Sequence, residues 1–183
     1  MDTLPSLSAI ADQIENQKLP PIEKWNPEFT GDLDMRIARD GRWFHEGSEI
    51  KRKPLVKLFS TILLRQGPDY FLITPVEKYR IQVEDAPFVA VSAELREQNN
   101  QPCLVFKTNV DDWVVLDKTH PLRVETDPVS AEPTPYILVR NNLEALVSRN
   151  VFYQLVDQAE VVEGQSNELF VNSAGERFSL GTF

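Results

Sequence analysis

The feature that most constrains this chain is a block of local patterns that occurs twice. In its first occurrence Met35 and Ile37 alternate with Arg36 and Ala38 up to Asp40-Gly41, a dipeptide suited to a tight hairpin, and Trp43 and Phe44 open the return strand. Leu55, Leu58, Phe59, Ile62 and Leu63 then recur at the spacing of a helix resting on a sheet, which Gly67-Pro68 ends. Two strands follow, over 70–74 and 78–83. In the second occurrence residues 136–139, the turn Arg140-Asn141-Asn142 and residues 143–147 again give strand, turn, strand. Phe152, Leu155, Val156 and Ala159 form a helix face, and 169–172 and 177–180 make a hairpin about Ala174-Gly175. Overlaid, Glu77-Lys78-Tyr79-Arg80-Ile81 meets Glu176-Arg177-Phe178-Ser179-Leu180, a match of pattern and charge class with little identity.

The remaining segments fit around these copies. Residues 88–95, 104–109, 113–116 and 122–125 are β-favouring runs separated by Asn, Asp and Pro, which predicts an antiparallel meander. Residues 127–135, with Pro128, Pro133 and Pro135, read as a loop. Leu7, Ile10, Ala11 and Ile14 share one helical face ahead of Pro20-Pro21, and 19–32 reads as an extended arm around Trp25. The expected fold class is α+β: two tandem antiparallel-sheet-plus-helix units related by internal duplication. Residues 1–84 form the N-terminal domain, with its helix, Pro-rich arm and hairpin-helix-hairpin, and 85–183 a β-rich C-terminal domain. A seam between two copies is a favoured place for a ligand pocket.

Charge and cysteine usage narrow the function classes. The net charge is -9, so duplex nucleic acid and anionic membrane surfaces are repelled at long range. Residues 1–95 carry 12 basic and 15 acidic groups (-3) and residues 96–183 carry 7 and 13 (-6), which makes the first half the better host for an anion. Cys103 is alone, which forbids an intrachain disulfide and a cysteine-based zinc site and makes the cytoplasm the simplest compartment. The N-terminus does not read as a secretory signal and no apolar run is long enough for a membrane span, so a soluble protein is expected.

The residues also resemble a known family. Pro20-Pro21-Ile22-Glu23-Lys24-Trp25, Gly31-Asp32-Leu33-Asp34-Met35-Arg36-Ile37, Thr74-Pro75-Val76-Glu77-Lys78, Asp85-Ala86-Pro87-Phe88-Val89, Thr108-Asn109-Val110 and His120-Pro121-Leu122-Arg123-Val124 look like the bacterial family catalogued as domain of unknown function 1285. The resemblance implies a duplicated two-domain α+β architecture, a C-terminal part superficially like a pleckstrin-homology fold, and a nucleotide-like ligand between the domains in a signalling role. It supplies no catalytic residues.

Motifs for catalysis are missing. No G-x-x-x-x-G-K-[ST], no strand-linked G-x-G-x-x-G and no G-x-S-x-G is present, and no metal or cofactor site is expected. Candidate ligand contacts are Lys24, Trp25, Lys78, His120 and Arg123: the cations for an anionic group, the indole for stacking. Each has a plainer reading, as a turn histidine, a solvated charge or an aromatic plug. Lys51-Arg52-Lys53, ahead of a helix start, is the densest basic run. The leading expectation is a cytoplasmic regulatory module that binds a small anionic, nucleotide-like ligand between its repeats. The alternative is a protein-interaction adaptor using the C-terminal half. An enzyme acting on a phosphate ester through Asp32, Asp34 and Asp85 stands last.

Overall fold

The structure is a computed structural model that describes residues 19–164 and 167–182. The N-terminal helix expected from Leu7 to Ile14 lies outside the described residues. The arm from Leu19 contains one 3-10 turn, Ile22–Lys24, with Ile22 buried.

The first domain begins with β1 (Gly31–Ile37), β2 (Trp43–His45) and β3 (Ser48–Glu49), continues through α1 (Lys53–Ser60), and ends with β4 (Leu63–Gln66), β5 (Asp69–Ile73) and β6 (Lys78–Val83). These strands form one six-stranded sheet in the order β3-β2-β1-β6-β5-β4. The β1–β2 turn is where the sequence placed it. Gly41 has φ +89°, and a Cβ there would stand 2.6 Å from Asn109 Nδ2, so the turn demands glycine.

The helix is shorter than its apolar stripe. It stops at Ser60, where the hydroxyls of Ser60 and Thr61 donate to the carbonyls of Lys57 and Leu58, at 2.6 Å in each case. Leu63 then pairs with Leu72 as part of β4, and Leu58 is left 59% exposed. A strand with its own hydrogen-bond partner outweighs the continuation of a short helix.

The second domain holds β7 (Phe88–Gln98), β8 (Gln101–Thr108), β9 (Trp113–Val115), β10 (Leu122–Thr126), β11 (Pro133–Arg140), β12 (Leu143–Val147) and α2 (Arg149–Asp157), then β13 (Glu160–Val162), β14 (Glu168–Ser173) and β15 (Glu176–Thr182). Its six-stranded sheet runs β10-β11-β12-β7-β8-β9, and β13-β14-β15 form a separate three-stranded sheet. Read from the other edge, the order is β9-β8-β7-β12-β11-β10. That is the strand order of the first domain, with the first and last strands side by side in the middle.

Two expectations are corrected here. The sheets are mixed, because β1 pairs with β6 in parallel (Ile37 with Val83) and β7 with β12 in parallel (Phe88 with Ala145). The antiparallel meander therefore covers only β7, β8 and β9, and β10 crosses to the far edge. The loop 127–135 is also shorter than expected, since β11 starts at Pro133. Its two early prolines pair with Thr126 and Val124 of β10, while pairing with β12 begins only at Tyr136. The missing amide donors thus fall where one side of the strand has no neighbour.

One apolar cluster crosses both domains, from Trp43, Leu63 and Ile81 to Phe88, Phe106 and Ile137. The three-stranded sheet is fastened to the second sheet by Ser173, which is 0% exposed, donates to Leu116 O (2.6 Å) and accepts from Leu104 N (2.8 Å).

Candidate functional site

The domains meet along a polar seam laid over that core. Asp112, 5% exposed, accepts from Lys57 Nζ of α1 (2.5 Å) and from Arg140 at the end of β11 (2.7 Å). Arg140 also donates to Ser60 O (2.8 Å), so it caps the C-terminal end of α1 from the other domain, and its guanidinium lies 5.0 Å from the Phe88 ring. Asn109 Nδ2 donates to Gly41 O and its Oδ1 accepts from Val89 N. A charge this deeply buried is tolerable only with partners, and here both cations arrive on one carboxylate.

Beside this seam is a cleft of about 760 Å³, walled by the β1–β2 turn of the first domain, the start of β11, the end of β12 and the first turns of α2. Two guanidinium groups border it. Arg39 holds Asp85 of the interdomain linker at 3.2 Å and remains 63% exposed. Arg149 stands 3.6 Å from Glu132 and 3.5 Å from the Tyr153 hydroxyl, and Tyr153 and Glu132 hold its pKa above the usual value. Ser148 caps α2 by accepting from Val151 N, so the N-terminal end of a helix of nine residues opens onto the same space. Val89, Leu146, Phe152 and Pro135 give it apolar walls.

Of the acidic groups at its rim, Asp40 is tied to Arg42. The amide of Arg42 is the first cause that holds the Asp40 carboxyl below its usual pKa; burial opposes it, and the Arg42 side chain adds to it. Asp85 is shared between Arg39 and the Tyr136 hydroxyl (2.7 Å). Burial first, and Asp85 second, push the Tyr136 phenol far above its usual pKa, so it stays protonated and donates.

The residues singled out from sequence are placed elsewhere. Lys24 is exposed on the 3-10 turn, and Trp25, half-buried, closes it. Lys78 opens β6, donates to Gln66 Oε1 and lies 4.4 Å from the Phe71 ring. His120 sits in a bend with Nδ1 3.2 Å from Asp117 and 2.9 Å from Thr119 Oγ1. Arg123 makes a two-pronged bond to Glu144 (2.6 and 2.8 Å), with Glu125 as a further partner. Its pKa is raised, first by Glu144. None of the five lines the wide cleft, and none of these contacts joins one of the five to another. Asp32 pairs with Arg80 (2.7 Å). No group of three or more His, Cys, Asp or Glu among the described residues is arranged to hold a metal ion. Sequence reasoning missed Arg39, Ser148 and Arg149. Ser148 ahead of an apolar helical run is a capping signal, whereas nothing local marks Arg39 as facing another domain.

Comparison with known proteins fits this arrangement. Residues 20–86 match the N-terminal domain model, and residues 87–180 the C-terminal domain model, of the domain of unknown function DUF1285. The chain belongs to the DUF1285 family. A crystal structure of a DUF1285 family protein from Silicibacter pomeroyi DSS-3 is 44% identical over 98% of this chain and 97% of that one, with a TM-score of 0.82. A second, from Shewanella baltica OS155, is 29% identical over 69% of this chain and 92% of that one, with a TM-score of 0.55. No curated protein matches the chain. Two tandem domains, each a mixed six-stranded sheet with a helix, thus describe this DUF1285 protein. No helix among the described residues is long and apolar enough to cross a membrane.

Proposed function

We propose that this DUF1285 protein is a cytoplasmic regulatory module in signal transduction that binds a small anionic, nucleotide-like ligand in the wide cleft between its domains. The observation that carries the reading is the convergence of Arg39, Arg149 and the N-terminal end of α2 on one apolar-walled cleft of about 760 Å³. Guanidinium groups suit phosphate or carboxylate oxygens, the helix terminus adds positive potential, and Phe152 or Tyr153 offers a face for a ring. An arriving anion displaces Glu132, whose contact with Arg149 is long and exposed.

A thermal-shift series across nucleotides and nucleotide-derived signals tests it, because a ligand at a hundred times its Kd adds about 2.7 kcal/mol. The shift should vanish in the pair Arg39→Ala and Arg149→Ala. A shift lost instead with Lys78→Ala and Arg123→Ala would move the site to the contact set Lys24, Trp25, Lys78, His120 and Arg123. No shift with any compound, in folded protein, overturns the reading.

An adaptor role for the second domain, by analogy with pleckstrin-like folds, is favoured by one observation. Strand β13 is bordered by β14 on one side only and exposes Val161 (49%) and Val162 (41%). Such an edge can accept an added strand. This reading predicts protein capture that Val161→Lys abolishes, without a small-molecule shift.

A further inference from the structure

The two guanidinium groups of the wide cleft are held in different ways. Arg149 meets Glu132 at 3.6 Å, a long contact between side chains 66% and 62% exposed. Arg39 instead belongs to a chain of contacts that starts in the core. Tyr136 of β11, 6% exposed, donates its hydroxyl to Asp85 Oδ1 (2.7 Å), and Asp85 Oδ2 stands 3.2 Å from Arg39 Nε. One carboxylate of the linker therefore joins the second domain to the cleft wall that the first domain contributes. The Arg123 guanidinium, 4.4 Å from the Tyr136 ring, steadies the phenol that anchors this chain.

The main chain at Arg39 is pinned as well. Its amide donates to Glu84 Oε2 (2.9 Å), Gly41 N donates to Ala38 O (2.9 Å), and Asn109 of the second domain donates to Gly41 O (3.1 Å). Asp85 meets the guanidinium at its Nε edge, and the two terminal amino groups donate no hydrogen bond among the described residues. They belong to a side chain that is 63% exposed at the cleft. An oxyanion is bound best by two parallel N–H donors, and a guanidinium whose pose is set beforehand loses less rotamer freedom on binding.

We propose that Asp85 and Tyr136 are positioning residues of the wide cleft, which hold the Arg39 guanidinium ready for two-pronged contact with one oxyanion of the ligand; this rests on the anion-binding function proposed for that cleft. The same chain makes the interdomain linker part of the site, so a bound anion and the hold of the second domain on Arg39 reinforce each other.

The test follows the arginine Nε–H signals of the full chain by NMR. Arg39→Lys assigns the Arg39 signal, and inorganic pyrophosphate at constant ionic strength is the probe. Before any pyrophosphate is added, the Arg39 signal should show the heteronuclear NOE of an ordered group. It should lose that NOE in Tyr136→Phe, which keeps the ring beside Arg123 and leaves the charges of Asp85 and Arg39 in place. Pyrophosphate should shift the signal saturably, and Tyr136→Phe should weaken that binding about threefold to tenfold. Tyr79→Phe, which removes a hydroxyl bonded to Glu77 within the first domain, should change neither result. A merely structural Tyr136 would lower the melting temperature yet leave the Arg39 signal and the affinity as they were, and that outcome overturns the positioning role while anion binding in the cleft stands. An Arg39 signal that ignores pyrophosphate in the unaltered protein, or moves equally with chloride, removes anion binding in the cleft and the positioning role with it.

Discussion

The two six-stranded sheets have the same strand order and the same parallel pair at their centres, yet the chain surrounds them differently. In the first domain α1 is inserted between β3 and β4, whereas in the second the corresponding stretch between β9 and β10 is a short bend, and α2 follows the last strand. The second domain then adds β13, β14 and β15 as a further layer. The difference teaches that the sheet is the repeated object and the helices are additions made at different points. Long-range hydrogen bonding mirrors this. Thr74, after β5, accepts from the nearby amides of Val76 (3.3 Å) and Glu77 (3.0 Å), while Ser173, at the end of β14, reaches Leu104 and Leu116.

Asp112→Ala should break the comparison most severely, because it strands Lys57 and Arg140 at the seam. A loss of about 3 kcal/mol is expected in urea unfolding, with separation of the two domains' transitions. A loss under about 0.5 kcal/mol would mean that the two sheets do not depend on this clasp.

Ser173→Ala asks whether the added layer is secured by one hydroxyl. It leaves a buried amide and a buried carbonyl without partners and should cost about 2 kcal/mol, where Thr74→Ala costs about 0.5 kcal/mol or less. Equal effects would remove the contrast between local and long-range bonding.

The helices sharpen the comparison at a smaller scale. Ser148→Ala should lower stability by about 1 kcal/mol, since α2 is capped by that side chain. Arg52→Ser at the uncapped start of α1 should raise it by about 0.5 kcal/mol. Urea midpoints that move together in direction would contradict the assigned caps.

The smallest effect concerns Glu84, which leads into the linker. The Arg39 amide (2.9 Å) first, and the Arg36 guanidinium (2.5 Å) next, hold its carboxyl below the ordinary 4.5. A depressed folded-state pKa contributes stability above about pH 4.5, and that contribution is lost as the pH falls through the folded-state value. Glu84→Gln should flatten this part of the stability profile below pH 5, roughly, as followed by urea unfolding at each pH.

Much of the local fold was legible. Asp40-Gly41, Asn141 and Ala174-Gly175 mark turns, and the residues at Gly41, Asn141, Ala174 and Gly175 have positive φ as such turns require. The overlay of the block from Asp34 on the block from Tyr136 is overturned: β11 and β12 stand where β5 and β6 do, and β13, β14 and β15 form a sheet of their own. It missed the larger repeat, because which strand borders which edge is decided by pairings between distant residues, such as Ile37 with Val83, that leave no periodic trace. Strand β4 was read as helix because Ile62 and Leu63 continue the stripe of α1, and only pairing with β5 distinguishes the two. The candidate site was less legible still. Arg39 and Arg149 acquire meaning from the seam, while the candidates Lys78 and Arg123 turn out to be occupied by neighbours in their own domains.

The parallel pairing at the centre of each sheet fixes where the chain passes from one sheet to the next. Ile37 lies beside Val83, so the linker departs next to the β1–β2 turn, and Val147 lies beside Ala90, so β12 ends near the point where β7 began. The doorway into the second sheet and the doorway out of it therefore share a threshold with Arg39 on one jamb and Arg149 on the other. A molecule bridging those two guanidinium groups would tie both doorways shut, and peeling the second domain apart from either end would first have to break that tie.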